Sequence, residues 1–266
     1  MNEENYEYLA KQIFKTGFGE GHKEKLRENM QSGAPEFSLF HSQDYGKDNT
    51  VATLHFRKPD DSERYFFNRF TLLLKNEQHP EPIKQTFNQY YMQDNITLKE
   101  GYNQLSGRAV FREFTPKEGE KYKAWEVLDF KNVDKNGNFE TKKYYKLDLE
   151  RELDKFAVRE MLTDPDKKYL MESLQRGNRQ SATVLIAGEE KKVFIEAAPQ
   201  FKSLNFYDSD MKRINSQSLS QAKEGETAKQ EEKKDKRQEQ KAGDGEEGAA
   251  GGQSERKANR RKQGVH

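Results

Sequence analysis

The chain has 266 residues, a formal net charge of +1 and no cysteine, and 35% of its residues are charged against 32% hydrophobic. The near-neutral charge excludes a strongly basic nucleic-acid binder of the histone type, and the lack of cysteine excludes disulfides, thiolate metal sites and cysteine nucleophiles. The N-terminus has no basic region followed by an apolar core, and no long apolar run occurs elsewhere. We therefore expect a soluble, cytoplasmic protein with no membrane partner.

The hydrophobic residues are unevenly distributed along the chain. No aromatic residue follows Tyr207, and from Ser216 onward the only apolar residues other than alanine are Leu219 and Val265. A segment this poor in apolar side chains cannot offset the entropy that it would lose on ordering. We expect a disordered tail at 215–266.

Two short helices are predicted before the first strands. Tyr6–Phe14 places its apolar residues on one face, and Lys23–Ser32 ends at Gly33. The segment TGFGEGHKEK between them is rich in glycine, which invites comparison with a phosphate-binding loop. Such a loop needs a preceding strand and a lysine followed by serine or threonine, whereas Lys23 is followed by Glu24. We interpret the segment as a turn between helices.

The stretch TLKEGYNQLSGRAVFREF, residues 97–114, predicts a helix that turns into a strand. Thr97 and Glu100 have the spacing of a capping box, and Gly107 can adopt the left-handed conformation that ends a helix. After Gly107 the side chains alternate with the period of two that is typical of a half-exposed strand.

A similar order of helix, glycine and strands occurs before and after this stretch. The glycines are Gly33, Gly107 and Gly177, which are 74 and 70 residues apart. Each glycine is followed by three predicted strands. They are Glu36–Phe40, Thr50–Arg57 and Arg64–Leu74; Arg108–Phe114, Ala124–Phe130 and Phe139–Lys146; and Ser181–Ile186, Lys191–Glu196 and Ser203–Tyr207. Asp166–Arg176 is the third helix, and Asp148–Val158 is a linking helix before it.

The predicted fold class is α+β, with three helix-plus-antiparallel-meander units and a disordered C-terminal tail. The boundaries are 1–95 for the N-terminal helices and first unit, 96–160 for the second unit with its linking helix, 161–214 for the third unit, and 215–266 for the tail. The alternative is an ordinary α+β domain whose helices happen to end in glycine.

Several long segments, which together span most of residues 1–214, carry a resemblance to known proteins. They are PEFSLFHSQDY, TVATLHFRKPDDSERYFFNRF, ITLKEGYNQLSGRAVFREFTPKEGEKYKAW, VLDFKNVDKNGNFETKKY, SLQRGNRQSATV and FIEAAPQFKSLNFYDSDMKR. In these segments the chain resembles an uncharacterised domain family found in proteins of bacterial conjugative and other mobile elements. The resemblance implies a setting beside DNA-processing domains, but it brings no activity and no catalytic residues.

The segment NVDKNGNFETKK has part of the ligand pattern of a calcium loop. Asn132, Asp134 and Asn136 stand at positions one, three and five, but position twelve, which should supply a bidentate glutamate, is Lys143. Asn136 followed by Gly137 is also a strong hairpin signal. We interpret the segment as a hairpin and predict no metal site.

The histidines form no metal-binding or catalytic motif. They are His22, His41, His55, His79 and His266. His41 and His55 lie on neighbouring predicted strands and could approach each other. Glu126 and Asp129 fall on opposite faces of one strand, so they make no acid–base pair. No catalytic residue and no cofactor is predicted.

The segment KKYYK, residues 142–146, mixes cations with aromatic rings, a combination that single-stranded nucleic acid can use. The candidate contacts are Lys142, Lys143 and Tyr145. The alternative is an ordinary strand with Tyr144 or Tyr145 in the core and the lysines outside, because aromatic residues are common in sheets.

A second basic cluster lies near the C-terminus, where RKANRRK holds five cations and no acid. Its cations are Arg256, Lys257, Arg260, Arg261 and Lys262. Such a cluster can bind a phosphate backbone without sequence preference. Alternatively, it is a solubilising end of a charged tail.

With the resemblance, these clusters predict a non-enzymatic accessory protein of a mobile genetic element, which associates with nucleic acid or with a DNA-processing partner. The alternative is a protein–protein interaction module with no nucleic-acid contact, in which sheet faces or edges bind a partner chain. An enzyme is the third choice.

Overall fold

The structure of the protein, a computed structural model, describes residues 1–77, 80–90, 95–116, 118–186 and 189–219. The α-helices in this part of the chain are α1 (Glu3–Ile13), α2 (Lys23–Ser32), α3 (Leu98–Leu105), α4 (Leu149–Leu153) and α5 (Asp164–Gln175). The strands are β1 (Glu36–Tyr45), β2 (Asp48–Arg57), β3 (Phe66–Lys75), β4 (Ile83–Asn88), β5 (Val110–Phe114), β6 (Tyr122–Val133), β7 (Phe139–Tyr144), β8 (Gln180–Ile186), β9 (Glu189–Ala198), β10 (Ser203–Tyr207) and β11 (Arg213–Ile214).

The strands form three antiparallel sheets, in each of which neighbours follow the order of the chain. The first sheet contains β1 to β4, the middle sheet β5 to β7 and the third sheet β8 to β11. The prediction of an α+β fold with three antiparallel meanders is confirmed. The first and third sheets each have a fourth strand beyond the three predicted. The strand β4 is not predicted from the sequence, because Pro80 and Pro82 directly before it suggest a loop.

Two hydrophobic cores hold the described elements together. The first lies among α1, α2, α3 and the first sheet, and the second among α4, α5 and the third sheet. The middle sheet contributes to both, since Val110 and Leu128 pack in the first core whereas Trp125 packs in the second. Three consecutive residues of β6, Ala124–Glu126, are therefore buried. A strand buried on both faces loses the alternation by which strands are recognised in a sequence.

The helix ends follow the predicted capping chemistry. The Thr97 amide donates to the Glu100 carboxylate at 2.9 Å, and the Thr97 hydroxyl accepts from the Glu100 amide at 3.3 Å, which confirms the capping box. Gly107 and Gly177 follow α3 and α5 with φ of +78° and +77°. At Gly177 a side chain would also lack space, because a Cβ there would lie 2.7 Å from the carbonyl oxygen of Ala109.

The linking helix is shorter than predicted. Only Leu149–Leu153 of the predicted range Asp148–Val158 is α-helical. The chain then turns so that Phe156 and Val158 are buried in the second core, where Val158 pairs with Val184 of β8. Burial of these two side chains favours the turn over a longer exposed helix.

The folded part extends beyond the predicted start of the tail at residue 215. A short helical segment covers Ser216–Leu219, and Leu219 is buried in the second core. This single apolar side chain packs where the sequence composition suggested no order. The rest of the predicted tail, 220–266, lies outside the described residues.

Candidate nucleic-acid interface

The lysines of the KKYYK segment lie on opposite faces of the middle sheet, as alternation along β7 requires. Lys142 is on the face of Asp129, and its ammonium forms a 2.7 Å ion pair with that carboxylate. This bond and a second from Asn132 hold the pKa of Asp129 at about 2. Lys142 is thus engaged by an acid on its own sheet.

Lys143 lies on the other face, among aromatic rings. Its ammonium is 3.8 Å from the centroid of the Phe114 ring and donates to the Tyr122 hydroxyl at 2.9 Å. The rings of Phe114 and Tyr122 are stacked, with centroids 5.3 Å apart and planes 16° from parallel. Arg112 adds a second cation, whose guanidinium carbon is 5.1 Å from the Phe114 centroid. These are cation–π distances.

Tyr145 extends this group into solvent. It is 63% exposed, and its ring centroid is 6.2 Å from that of Tyr122. Tyr144, in contrast, packs against the second core. Tyr144 therefore takes the core position that the alternative interpretation assigns to one of the two tyrosines, and Tyr145 is left exposed. We call Arg112, Phe114, Tyr122, Lys143 and Tyr145 the aromatic–cationic cluster.

The buried carboxylate of Glu126 contacts the cluster through Arg112. Glu126 accepts a 3.0 Å hydrogen bond from the Gln104 side chain and lies 3.6 Å from the Arg112 guanidinium. Both charged side chains are well shielded from water, so Arg112 is held in place and its charge is balanced. Lys143 differs, because no carboxylate of the described residues lies within ion-pair distance of it.

The sequence identified two of these five residues. Lys143 and Tyr145 stand in a visible run of cations and rings, whereas Arg112, Phe114 and Tyr122 come from two other strands. Phe114 and Tyr122 are directly paired between β5 and β6. They could have been identified only from the register of these two strands. That register follows from the intervening loop, which the sequence does not determine.

His41 and His55, which the sequence allowed to be close, do not approach each other. Their strands are neighbours, but the two side chains point to opposite faces of the first sheet. His41 faces the core, with its Nδ1 3.1 Å from Nε2 of His22. Burial lowers the pKa of both members of this pair. His55 faces outward, and His79 and His266 lie outside the described residues.

The segment considered as a calcium loop is a hairpin, as predicted. The Asp134 carboxylate accepts from the backbone amides of Asn136 and Asn138 at 2.8 and 2.9 Å, and Gly137 has φ of +77°. The carboxylate is thus used to close the turn between β6 and β7. Within the described residues, no group of three or more His, Cys, Asp or Glu could hold a metal ion.

The basic cluster near the C-terminus lies outside the described residues, so Arg256, Lys257, Arg260, Arg261 and Lys262 remain sequence predictions. Over the described ranges, no helix has the length and apolar character needed to cross a membrane. The chain matches no family model, and no similar curated protein or solved structure was found. The resemblance to a mobile-element family therefore stays a prediction.

Proposed function

We propose that the protein is a non-enzymatic accessory protein of a mobile genetic element that acts in the cytoplasm and binds single-stranded nucleic acid. The aromatic–cationic cluster is the contact surface of its folded part. The basic cluster near the C-terminus supplies further contacts with phosphates, without sequence preference.

The observation that carries this proposal is the position of Tyr145 and Lys143 on one face. Tyr145 presents an exposed ring on which a base can stack, and Lys143 binds the hydroxyl of Tyr122, whose ring neighbours that of Tyr145. Stacking of a base on an aromatic side chain contributes about 1–3 kcal/mol and tolerates any base. A neighbouring cation can neutralise one phosphate of the same strand.

Single strands are favoured over duplexes because the cluster offers rings rather than a groove-reading helix. Bases in a duplex are stacked on one another, so their faces are not accessible to Tyr145. The cluster has one lysine without a carboxylate partner nearby. Binding through the folded part is therefore expected to be modest and to depend on stacking as much as on charge.

A fluorescence titration with labelled oligonucleotides tests the proposal. Full-length protein is compared with a variant in which the five terminal cations are replaced by glutamine, at three salt concentrations. The wild-type protein should bind single strands more tightly than duplexes. The variant should bind more weakly and with a flatter salt dependence, by about 0.7 in log–log slope for each lost contact, but single-strand binding should persist.

An absence of single-strand binding by the wild-type protein at low salt would reject the proposal. Loss of all binding in the variant would assign the activity to the terminal cations alone.

A second function, a protein-interaction module, is favoured by a cavity of about 340 Å³ between α1 and the first sheet. Tyr8, Phe66 and Tyr90, each about half exposed, line it. A cavity lined by aromatic rings suits an apolar side chain of a partner chain. In this case Tyr90→Ala would weaken binding of the partner and leave oligonucleotide binding unchanged.

A further inference from the structure

The outward face of the first sheet carries a polar groove that the proposed function does not use. Two adjoining cavities of about 310 and 430 Å³ lie along it and share His55 and Arg69 in their linings. Most of the other lining groups are hydroxyls and amides. They include Ser38, Thr71, Thr86, Asn88, Asn136 and Asn138.

A chain of hydrogen-bonding side chains crosses all four strands at the floor of this groove. Ser38 Oγ is 3.3 Å from His55 Nδ1, and His55 Nε2 is 3.2 Å from Thr71 Oγ1. Thr71 Oγ1 is in turn 3.1 Å from Thr86 Oγ1. These distances allow each hydroxyl to donate in one direction and accept from the other.

The turn between β6 and β7 forms a fixed wall at one end of the groove. The Asn138 side chain accepts from the Thr86 amide at 2.9 Å. The Gln85 side chain both donates to and accepts from the backbone of Phe139, at 3.2 and 2.8 Å. The turn of the middle sheet is thus tied to the edge of the first sheet, and the groove does not depend on a loose loop.

His55 is partly shielded from water and lies near the positive charge of Arg69. Burial and the charge of Arg69 both lower the pKa of His55, in that order of importance. Arg69 is exposed, and no acid in the described part of the chain lies within ion-pair distance of it. Of the other charged groups along the groove, Arg57 is paired with Glu36 at 3.5 Å, and Asp134 is occupied by the amides of its own turn.

We infer that this groove binds a phosphoryl group, held by the Arg69 guanidinium and by the hydroxyl groups of Ser38 and Thr71. A neutral imidazole donates one hydrogen bond and accepts another, whereas an imidazolium donates two. When His55 gains a proton, Ser38 and Thr71 must both accept from it. With Thr86 donating to Thr71, both hydroxyl protons can then point to the anion. Anion binding and protonation of His55 therefore favour each other.

The phosphoryl group could belong to a free phosphate monoester or to the phosphodiester backbone of a nucleic acid. Only the second source rests on the proposed function. Both present charged oxygens that an arginine and hydroxyl donors recognise. The site itself is independent of the aromatic–cationic cluster, because its residues lie on β1 to β4 and on the tip of the turn.

An NMR titration of the histidine ring signals tests the inference on the full-length protein, with His55→Gln used to assign the His55 signal. The pKa of His55 is measured in chloride and in inorganic phosphate at equal ionic strength. Phosphate should raise it by about half a pH unit or more, because a nearby anion stabilises the imidazolium. Dithymidine monophosphate in place of phosphate shows whether a phosphodiester has the same effect.

Arg69→Gln supplies the second half of the test. Without phosphate this change should itself raise the pKa of His55, since it removes a like charge, and it should abolish most of the effect of phosphate. Arg64→Gln is the matched control, because Arg64 pairs with Glu4 at 3.1 Å and does not line the groove. It should leave both values unchanged.

Equal values of the His55 pKa in chloride and phosphate would overturn the inference, as would an undiminished phosphate effect in Arg69→Gln. Neither result depends on whether the protein binds oligonucleotides. Failure of the proposed function would therefore be seen separately, in the fluorescence titration.

Discussion

The first sheet and the middle sheet use their two faces differently. In the first sheet, buried residues alternate along β2, so that one face is in the core and the other is open. In the middle sheet, Ala124, Trp125 and Glu126 of β6 are buried in succession because a core lies against each face. The middle sheet is exposed toward both ends, near Tyr145 at one and near Val133 at the other.

Because of this difference, the middle sheet serves mainly to connect the two cores, whereas the outward face of the first sheet is available to a ligand. The middle sheet joins the two cores, so the centre of β6 is committed to packing. The aromatic–cationic cluster lies toward one exposed end of this sheet. The first sheet leaves its outward face open, with mostly polar side chains around the exposed Phe40 and Val51. A ligand can therefore contact an open sheet face at the groove but only a sheet end at the cluster.

The largest difference in stability is expected between a substitution on a buried face of the middle sheet and one on the open face of the first sheet. Trp125→Ala should lower the free energy of unfolding by about 3–5 kcal/mol, because the indole is 1% exposed in the second core. Phe40→Ala should change it by less than about 0.5 kcal/mol, because Phe40 is 70% exposed on the outward face of the first sheet. Chemical denaturation monitored by circular dichroism measures both. Similar losses in the two variants would show that the outward face is covered.

The glycine turns offer a narrower comparison. Gly33 and Gly177 both have positive φ, but a Cβ at Gly33 would meet nothing within 4 Å, whereas one at Gly177 would lie 2.7 Å from the Ala109 carbonyl oxygen. Gly33→Ala should cost about 1 kcal/mol of backbone strain. Gly177→Ala should cost about 3 kcal/mol, since a steric clash is added. Equal costs, measured by urea denaturation, would mean that the contact between the second and third units relaxes freely.

The end of the folded part gives a smaller effect. Truncation after Leu219 should leave the melting temperature of the full-length chain nearly unchanged, whereas truncation after Asn215 should lower it. The shorter chain loses the buried Leu219 side chain, which contributes about 2 kcal/mol. At about 2–4 °C per kcal/mol for a domain of this size, it should melt several degrees lower. Identical melting temperatures would restore the tail boundary to residue 215.

Local chemistry was predictable, and long-range packing was not. Thr97 and Glu100 cap α3 through side chains three residues apart, so the sequence suffices. By contrast, Asn103 donates to the Asn178 side chain at 2.9 Å, across 75 residues. His22 meets His41 only because a helix packs on a particular face of β1. The aromatic–cationic cluster is intermediate, since its Lys143 and Tyr145 are local whereas Phe114 and Tyr122 depend on strand register.

The most direct test of the central claim uses two adjacent lysines that carry the same charge on opposite faces of β7. Lys143→Gln and Lys142→Gln are compared in single-strand titrations, each in a chain whose five terminal cations are already glutamine. Lys143→Gln should weaken binding several-fold and reduce the log–log salt slope by about 0.7, the value for one lost phosphate contact on a single strand. Lys142→Gln should bind like its parent, since Lys142 is paired with Asp129. Equal losses in the two variants, or no loss in either, would contradict binding through the aromatic–cationic cluster.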